Sequence, residues 1–521
     1  MPQLISNPII SGFSPDPSAC AVGGLYFAVT SSFHFFPGIP IYVSKYLVTW
    51  SHLGNAINRR EQLDLAQSAA KLVINRDGHT LVATGGLWAP TIRHHKDVFY
   101  ITCTNTRWVN GEVQFRNFII QTSDIWSNSW SDPIFFDFHG IDPNLFFDDD
   151  GRAYIQGSRV IDYSVQPSTT IDQFEIDVVT GQKLSELKTI WEGFIRVDAE
   201  GPRLYKRGRL YYLVIAEGGP FEHHLVSAAR SQNVWGPYES AEINPILPSA
   251  ETTSHFQQTG HPDIFQDAQG EWWATVLGVR EKDGRCPMGR ELLLTKVSWP
   301  TANDWPVLAP ITPEIEIPES SIPDSGLKDV PSLLPKDAFL EIRNGPRKQY
   351  RSSNDGLKLV LVANPADLSS LIEAPAFLGL RQRKLQGTAE VHIQLDDQLK
   401  RQQFSAGLTL YKDENRFLDV HSESHSSSIC FRVHNKVESI DQSTKFVLET
   451  LGNSVYFRMR YTEELYEFSY RTSNKDKWVM VGSVDSRDIS GFDFTGSVIG
   501  VFAMSSEPDM EVTFSDFVID I

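Results

Sequence analysis

The sequence has few cysteines and no CxxC pair, and this narrows the classes of protein to consider. Its four cysteines are scattered along the chain at Cys20, Cys103, Cys286 and Cys430. This spacing argues against a disulfide framework and against a structural zinc site. The simplest interpretation is a protein with reduced thiols.

Long apolar runs are also missing. The beginning, MPQLISNPII, has no basic segment followed by an apolar stretch, so no secretory signal is indicated. No run approaches the roughly 18 to 20 apolar residues that span a bilayer. We therefore expect a cytoplasmic protein without membrane association, or a secreted one if a signal has been removed.

Basic runs are absent as well. Lys and Arg number 47 against 65 Asp and Glu, which gives a net charge of −18. A chain with this negative charge is poorly suited to bind the phosphate backbones of nucleic acids, so no nucleic-acid partner is expected. With 521 residues, 41% of them apolar, the chain is long enough for two domains of unequal size.

Five segments in the N-terminal part share one layout: a proline, a short apolar run, a turn and a strand with paired aromatic residues. Their aligned prolines are Pro17, Pro90, Pro143, Pro202 and Pro262. Repeats of this size made of short strands are typical of β-propellers, in which each blade packs against its neighbours. The layout predicts a five-bladed β-propeller over residues 1–305.

The composition changes after Trp305. Residues 306–335 are dense in proline, which blocks helix interiors and central strands, so an ordered linker is expected there. Beyond it, segments such as TAEVHIQL and SVYFRMRY alternate apolar and polar residues without a repeat. This favours a two-sheet antiparallel sandwich over residues 336–521. The predicted fold class is all-β, a five-bladed propeller followed by a concanavalin-like β-sandwich.

Residues at equivalent positions of propeller blades converge on the central channel. At the five repeats these residues are Asp16, Trp88, Asp142, Glu200 and His261. Glycosidic bond hydrolysis needs one protonated and one ionised carboxyl group, and a third carboxylate raises the pKa of the acid by repulsion. Three convergent acids beside an aromatic ring therefore indicate a sugar hydrolase. The competing interpretation is that these Asp-Pro and Glu-Gly-Pro pairs only begin strands.

Several longer motifs occur in a fixed order: SPDPS (14–18), GLWAPTI (86–92), GIDPN (140–144), EGPRLYKR (200–207) and TGHPDIF (259–265). On these motifs the chain resembles glycoside hydrolase family 43, which contains β-xylosidases and α-L-arabinofuranosidases. The resemblance covers essentially residues 5–305, and the C-terminal part resembles the accessory domain of xylosidase-like members. It implies hydrolysis with inversion of configuration.

The resemblance implies a role for each carboxylate. Asp16 matches the general base that activates water, and Glu200 matches the general acid that protonates the leaving oxygen. Asp142 matches the acid that tunes Glu200 and orients the sugar. Because inverting enzymes hold a water between acid and base, Asp16 and Glu200 should lie about 6.5 to 9.5 Å apart.

The resemblance also implies substrate-binding residues. Phe33 and Trp88 match the walls of the pocket for the terminal sugar, and Arg280 matches an arginine that contacts substrate hydroxyls. His224 lies near a position that shapes the pocket. Core packing is the alternative for Phe33, and a surface salt bridge is the alternative for Arg280.

The resemblance also implies a position for a metal ion in the channel. His261 matches a position that faces an ion, often Ca²⁺, in many relatives. We expect no required cofactor, with Ca²⁺ as a candidate ion, because one histidine is weak evidence for a cation that prefers oxygen ligands. Arg203 stands where relatives often carry histidine.

The predicted function is exo-acting release of terminal pentoses, as a β-1,4-xylosidase on xylo-oligosaccharides with additional α-L-arabinofuranosidase activity. One alternative is an α-L-arabinofuranosidase that debranches arabinoxylan, and a second is a non-catalytic carbohydrate-binding propeller. We also expect a loop of the C-terminal sandwich to close one side of the pocket and so to enforce exo action.

Overall fold

The computed structural model describes residues 3–75, 78–251, 253–317, 335–345, 350–395, 399–449 and 452–520. Strands dominate these ranges, and their helical pieces are short 3-10 turns at Ile125–Ser127, Pro335–Asp337, Leu399–Arg401 and Ser486–Ile489. None of the described helical pieces has the length and apolar character that crossing a bilayer requires.

The N-terminal part forms five four-stranded antiparallel sheets, named here blades 1 to 5. The strands of blade 1 are Ser18–Val22, Leu25–Val29, Gly38–Ser44 and Ser51–Ile57. Those of blade 2 are Gly86–His95, Val98–Val109, Glu112–Thr122 and Ile134–Phe136. Those of blade 3 are Ile141–Phe147, Ala153–Val160, Thr169–Glu175 and Lys188–Trp191.

The remaining two blades follow the same plan. The strands of blade 4 are Glu200–Arg207, Leu210–Glu217, Leu225–Ser231 and Glu239–Ser240. Those of blade 5 are Gln257–Gln266, Trp272–Val279, Arg290–Ser298 and Val307–Leu308. The first strand of each blade contacts the first strand of the next, and that of blade 5 contacts that of blade 1. The five blades therefore close into a ring around a channel.

The residue before each of the five repeat prolines has a left-handed backbone. The φ angles are 51° at Asp16, 41° at Ala89, 56° at Asp142, 56° at Gly201 and 48° at His261. Such conformations cost non-glycine residues roughly 1–3 kcal/mol each and collect at functional sites. Asp16 and Asp142 share this position, whereas Trp88 and Glu200 lie one residue earlier. The prediction that all three carboxylates occupy one position of the repeat is therefore wrong by one residue for Glu200.

Irregular pairing explains how Glu200 still reaches the channel. The pairing of the first two strands of blade 4 shifts register between Glu200 and Arg203, and blade 3 has the same shift between Ile141 and Asn144. A bulge interrupts the strict alternation of side chains along a strand. Neighbouring residues at these positions can then both face the channel.

The C-terminal part is a sandwich of two antiparallel sheets around one apolar core. In spatial order, the seven-stranded sheet contains Tyr350–Ser352, Leu359–Val362, Glu511–Ile519, Gly387–Gln394, Ser454–Tyr461, Leu465–Arg471 and Val479–Asp485. The six-stranded sheet contains Phe377–Arg381, Val498–Met504, Ser405–Asp413, Arg416–Glu423, Ser428–Asn435 and Ile440–Val447. Together with the ring of blades, this confirms the predicted fold class.

The propeller and the sandwich share an apolar cluster. Phe13, Phe33 and Phe35 of the propeller pack there with Tyr411 and Phe502 of the six-stranded sheet. The short strands Phe35–Phe36 and Glu341–Ile342 pair across the junction. The sandwich is therefore packed against the face of the propeller from which Phe33 comes, not tethered to it by a linker alone.

Buried charges fix one sandwich loop at this junction. Asp493 accepts from Lys412 Nζ at 2.7 Å and from the guanidinium of Arg416, and the main chain of Val82 donates to the carbonyl of Phe492 at 3.0 Å. Removing one partner of such a buried group typically costs 3–5 kcal/mol. The segment that carries Phe494 is consequently held firmly over the propeller.

Two further pairings of four residues each complete the described strands. Gln3–Ser6 pairs with Glu314–Ile317, and Lys71–Ile74 pairs with Thr80–Ala83. Residues 306–317 of the predicted linker thus supply a blade strand and a partner for the N-terminal strand. Residues 318–334 lie outside the described part, and the predicted domain boundaries stay predictions.

Candidate active site

A pocket opens at the end of the channel where the three carboxylates meet. The pocket and the solvent at its mouth together contain about 380 Å³ of empty space. Its lining residues are Asp16, Phe33, Trp88, Ala89, Ile141, Asp142, Glu200, Pro220, His261, Arg290 and Phe494. The first strands of all five blades or their flanks, and one sandwich loop, therefore contribute to a single site.

Of the three carboxylates, Asp16 has the most contacts that stabilise its negative charge. It is 7% exposed, accepts a hydrogen bond from Ser31 Oγ at 2.6 Å and lies 3.5 Å from Arg290 Nη1. Burial raises the pKa of Asp16, and Arg290, Ser31 and Arg203 oppose this rise. Ser31 also accepts from the main-chain N–H of Ala89 at 2.7 Å, so it fixes the Asp16 carboxylate against blade 2.

Asp142 lies deeper and has less support. It is 4% exposed and accepts from the main-chain N–H of Gly201 at 2.9 Å. Burial and the nearby negative charge of Asp16 raise the pKa of Asp142 to about 7. Gly201 has no side chain here because an added Cβ would lie 2.9 Å from the His261 ring.

Glu200 has the fewest contacts that would stabilise a negative charge on its carboxyl group. Its carboxyl group makes no hydrogen bond or ion pair within the described part of the chain, and Asp142 and Asp198 both face it. Burial first, and then these two carboxylates, raise the pKa of Glu200 well above its ordinary value, against a smaller opposing effect of Arg290. The surroundings therefore favour a proton on Glu200, whereas Arg290 and Ser31 oppose protonation of Asp16.

Aromatic rings form the walls. Phe33 packs parallel to Phe494 with ring centroids 5.9 Å apart, and Trp88 meets Phe494 edge-on at 5.5 Å. Trp88 is fixed by donating Nε1–H to the carbonyl of Thr84 at 2.8 Å. Apolar ring faces of this kind suit the C–H-rich faces of sugars and exclude water. Phe494 also stands over Arg290, whose guanidinium carbon lies 4.7 Å from the ring centre.

The arginine at the pocket is Arg290, not the predicted Arg280. Arg280 forms two hydrogen bonds to Glu291, at 2.7 and 2.8 Å, and one to Ser11 Oγ at 3.2 Å. It is absent from the pocket lining. The rule that an arginine ending an apolar strand needs a buried partner was sound, but the partner is a structural glutamate. Arg290 begins the neighbouring strand, where the same reasoning applies.

His224 supports the pocket from behind instead of lining it. It is 1% exposed, and its Nδ1 lies 3.0 Å from the carbonyl oxygen of Gln258. Burial lowers the pKa of His224 to about 4, so the ring is neutral. An added Cβ on Gly260 would lie 2.4 Å from this ring. His224 thus sets the path of the strand that leads to His261.

His261 does line the pocket, but its surroundings do not suit a calcium ion. Its Nε2 lies 3.3 Å from Arg203 Nη2, and burial and Arg203 lower the pKa of His261 well below its ordinary value. Calcium takes 6–8 oxygen ligands. The imidazole here instead faces a fully buried guanidinium, which would repel a cation.

Asp263, the carboxylate of the channel beneath His261, is already saturated. It accepts from Arg93 Nη1 at 2.7 Å, from Ser18 Oγ at 2.5 Å and from Tyr205 Oη at 2.8 Å, and Arg203 Nε lies 3.6 Å away. Burial would raise the pKa of Asp263, but Arg93 and Arg203 hold it below its ordinary value. The described residues of the channel therefore offer no oxygen set for Ca²⁺.

Sequence reasoning missed three residues of the site: Ser31, Arg290 and Phe494. Ser31 lies two residues before Phe33 in a run without a distinctive motif. Arg290 begins the run RELLLTKVS. The apolar residues of this run indicate a buried strand, and a charged residue at the start of such a strand is a usable signal. Phe494 lies in the other domain, and no local pattern links it to the repeats.

Comparisons with known proteins identify the family of the chain. The model described as "Glycosyl hydrolases family 43" matches residues 5–306, and that described as "Beta xylosidase C-terminal Concanavalin A-like domain" matches residues 337–519. The chain is 30% identical over 532 residues to the non-reducing end α-L-arabinofuranosidase of Bacteroides ovatus, covering 96% of this chain and 91% of that protein.

A second relative and a solved structure extend the likeness. The chain is 27% identical over 547 residues to the β-xylosidase of Bacillus subtilis, covering 95% of this chain and 96% of that protein. The crystal structure of xylan β-1,4-xylosidase from Bacillus halodurans matches with a TM-score of 0.83 at 25% identity, covering 98% of this chain and 99% of that one. Propeller and sandwich thus occur together in these proteins.

The raised pKa of Glu200 gives a stability prediction. The folded chain holds this proton more tightly than the unfolded chain, so the wild type loses stability as the pH rises from about 4.5 through the folded pKa, by roughly 1.4 kcal/mol per pH unit at most. Glu200→Gln does not titrate. We expect its melting temperature to equal that of the wild type near pH 4.5 and to exceed it by several degrees at pH 8.

Calorimetry across this pH range, with the exposed Glu186→Gln as a control, measures the difference. A Glu200→Gln variant whose melting temperature stays below that of the wild type at pH 8 would show that the Glu200 carboxyl is not destabilised in the fold.

Proposed function

Because the chain belongs to glycosyl hydrolase family 43 and is a glycoside hydrolase, we propose that its pocket releases terminal pentoses from the non-reducing ends of xylo-oligosaccharides by inversion. The observation that supports this most is that the surroundings stabilise the negative charges of the three carboxyl groups to different extents. Arg290 and Ser31 oppose the rise in the pKa of Asp16, whereas Asp142 and Asp198 add to the rise in the pKa of Glu200 against a smaller opposing effect of Arg290.

In the proposed reaction Asp16 is the general base. Its ionised carboxylate takes a proton from a water molecule, whose oxygen attacks the anomeric carbon. Ser31 and Arg290 keep the carboxylate in place and charged. Glu200 is the general acid, and its raised pKa keeps the proton available for the leaving oxygen at neutral pH.

Asp142 is proposed to tune Glu200 and to orient the sugar. Its carboxyl is held by the N–H of Gly201, the residue after Glu200, so the two groups move together. When Glu200 gives up its proton, its negative charge develops beside Asp142. A pKa of about 7 for Asp142 lets this group share the proton and limits the repulsion between the two groups.

Exo action follows from the wall that the sandwich supplies. Phe494 stands between Phe33, Trp88 and Arg290 at the pocket, and buried Lys412 and Arg416 hold the adjacent Asp493. A polysaccharide chain extending past this side would have to displace an anchored segment. The proposed pocket therefore accepts one terminal sugar, as the loop hypothesis from the sequence requires.

We propose β-1,4-linked xylose as the main substrate and terminal α-L-arabinofuranose as a second one. Relatives that match 95% or more of the chain include a β-xylosidase, a protein named "Xylosidase/arabinosidase" and an α-L-arabinofuranosidase. Arabinofuranosidase action on arabinoxylan remains the alternative within the same chemistry. Both sugars need the same acid and base, so the pocket walls decide between them.

A substrate panel separates these alternatives. Purified enzyme should release xylose from xylobiose and from 4-nitrophenyl β-D-xylopyranoside with a higher kcat/KM than arabinose from 4-nitrophenyl α-L-arabinofuranoside or arabinoxylan fragments. A preference for arabinose on both arabinosyl substrates would instead support the debranching alternative.

The dependence of kcat/KM on the leaving group tests which carboxyl group acts as the acid and which as the base. Glu200→Gln should lower kcat/KM on xylobiose by about 10²- to 10⁴-fold, but far less on a dinitrophenyl xyloside, whose leaving group needs no proton. Asp16→Asn should lose activity on both substrates, because water attack is impaired in each case.

The exposed Glu186→Gln variant serves as the control and should keep wild-type rates. Equal losses on the two substrates for Glu200→Gln would contradict its role as the acid.

We propose further that Arg203 supplies the positive charge of the channel, so that no Ca²⁺ is needed. The buried Arg203 guanidinium lies 3.3 Å from His261 and 3.6 Å from Asp263. It also lowers the pKa values of Asp16 and Asp142. A permanent cation beneath the acids therefore favours the ionised base that the reaction needs.

Arg203→Met tests this proposal through the pH profile. Loss of the charge raises the pKa of Asp16, so the acidic limb of the kcat/KM profile should move to higher pH, whereas Arg203→Lys should move it less. Chelator treatment of the wild type, at a temperature well below unfolding, should leave kcat/KM unchanged. Loss of activity with EDTA and its recovery with Ca²⁺ would refute the proposal.

A further inference from the structure

A cluster of possible metal ligands lies in the sandwich, outside the active site. Strands Arg416–Glu423 and Ser428–Asn435 pair in antiparallel register with His421 opposite Cys430. Leu418 and Val420 of the first strand enter the sandwich core, so the alternating residues Asp419, His421 and Glu423 share the other face. One ligand atom each of His421, Glu423 and Cys430 lies within 4.8 Å of the others.

A buried carboxylate, Asp419, orients the ring of His421. Nδ1 of His421 contacts Asp419 Oδ1 at 2.6 Å, and Arg432 Nε donates to the second oxygen of Asp419 at 2.7 Å. This leaves His421 Nε2 on the opposite side of the ring, 3.8 Å from Glu423 Oε1. A carboxylate behind the second ring nitrogen is the usual support of a metal-binding histidine.

Glu423 divides its two oxygens in the same way. Oε2 accepts from Lys445 Nζ and from Ser426 Oγ, whereas Oε1 faces His421. Cys430 is 2% exposed, and its Sγ lies 3.9 Å from Ser428 Oγ, too far for a strong hydrogen bond. A nitrogen, an oxygen and a sulfur atom are therefore directed at one place between the two strands.

We propose that His421 Nε2, Glu423 Oε1 and Cys430 Sγ bind Zn²⁺, or another soft divalent cation such as Co²⁺. Zinc accepts this combination at about 2.0–2.3 Å in a tetrahedral arrangement, whereas a thiolate and an imidazole exclude Ca²⁺ and Mg²⁺ as preferred ions. Binding releases the thiol proton of Cys430, and any proton on His421 Nε2, to water. Small side-chain movements bring atoms 3.8 Å apart to tetrahedral spacing.

The fourth position is open to water or to His425. Nε2 of His425 lies 3.8 Å from Glu423 Oε2, on the turn that joins the two strands, and the side chain is 53% exposed. A cation held there ties the two strands and their turn together. The site is thus expected to stabilise the sandwich and not to take part in the reaction.

Metal uptake by the untagged full-length chain tests the proposal. After dialysis against micromolar Zn²⁺ and gel filtration, elemental analysis should find one zinc per chain. Co²⁺ in place of Zn²⁺ should give the near-ultraviolet thiolate-to-cobalt charge-transfer band. Zn²⁺ added to metal-free protein should raise the melting temperature, and Mg²⁺ or Ca²⁺ should not.

Cys430→Ser should lose the cobalt band and the bound zinc, and His421→Asn should lose the zinc, while Cys20→Ser, a partly exposed cysteine in blade 1, should keep both. Wild-type hydrolysis of an aryl xyloside by each variant shows that it is folded. A wild-type chain without stoichiometric zinc, or equal uptake by Cys430→Ser, would overturn the proposal and leave a salt-bridged cluster only.

Discussion

Unequal stabilisation of the negative charge on three carboxyl groups, of which Asp16 and Asp142 are buried and Glu200 is partly exposed, is the constraint on which the rest of the active site depends. Asp16 has a serine hydroxyl at 2.6 Å and an arginine at 3.5 Å, Asp142 has one main-chain N–H, and Glu200 has acids for neighbours. The same low-dielectric surroundings therefore give the three groups different proton affinities. Acid–base cleavage of a glycosidic bond requires a pair of carboxyl groups whose pKa values differ in this way.

The fold brings these groups together at a cost in backbone conformational energy. Four non-glycine residues adopt left-handed backbones before the repeat prolines, and each is held by a ring of first strands that contact one another around the channel. Beneath the acids, Arg203 and Arg93 neutralise Asp263, so the channel carries its own cations. Above them, the sandwich adds Phe494. Catalytic groups, channel charges and pocket wall thus come from separate parts of the chain that fold as one packed unit.

Much of this was predictable from the sequence, because the repeats and the motifs report backbone geometry directly. The proline repeat predicted the propeller and led to Asp16, Asp142, Glu200 and Trp88, and the family resemblance added Phe33. All five line the pocket. What failed depends on contacts between distant segments. Arg280 was predicted to contact the substrate because its hydrogen bond to Glu291 cannot be read from the sequence. The absence of a CxxC pair argued against a structural zinc site, and this stays a prediction; the proposed site depends on strand register, which places Cys430 opposite His421 and cannot be read from sequence spacing.

The central claim is that Asp16 and Glu200 act across a water molecule, and the configuration of the first product tests it most directly. Proton NMR of the hydrolysis of 4-nitrophenyl β-D-xylopyranoside, whose single xylose comes from the cleaved bond, should show α-xylopyranose appearing first, before mutarotation produces the β anomer. Initial release of β-xylopyranose would mean retention, with a carboxylate attacking the sugar itself, and would contradict the account.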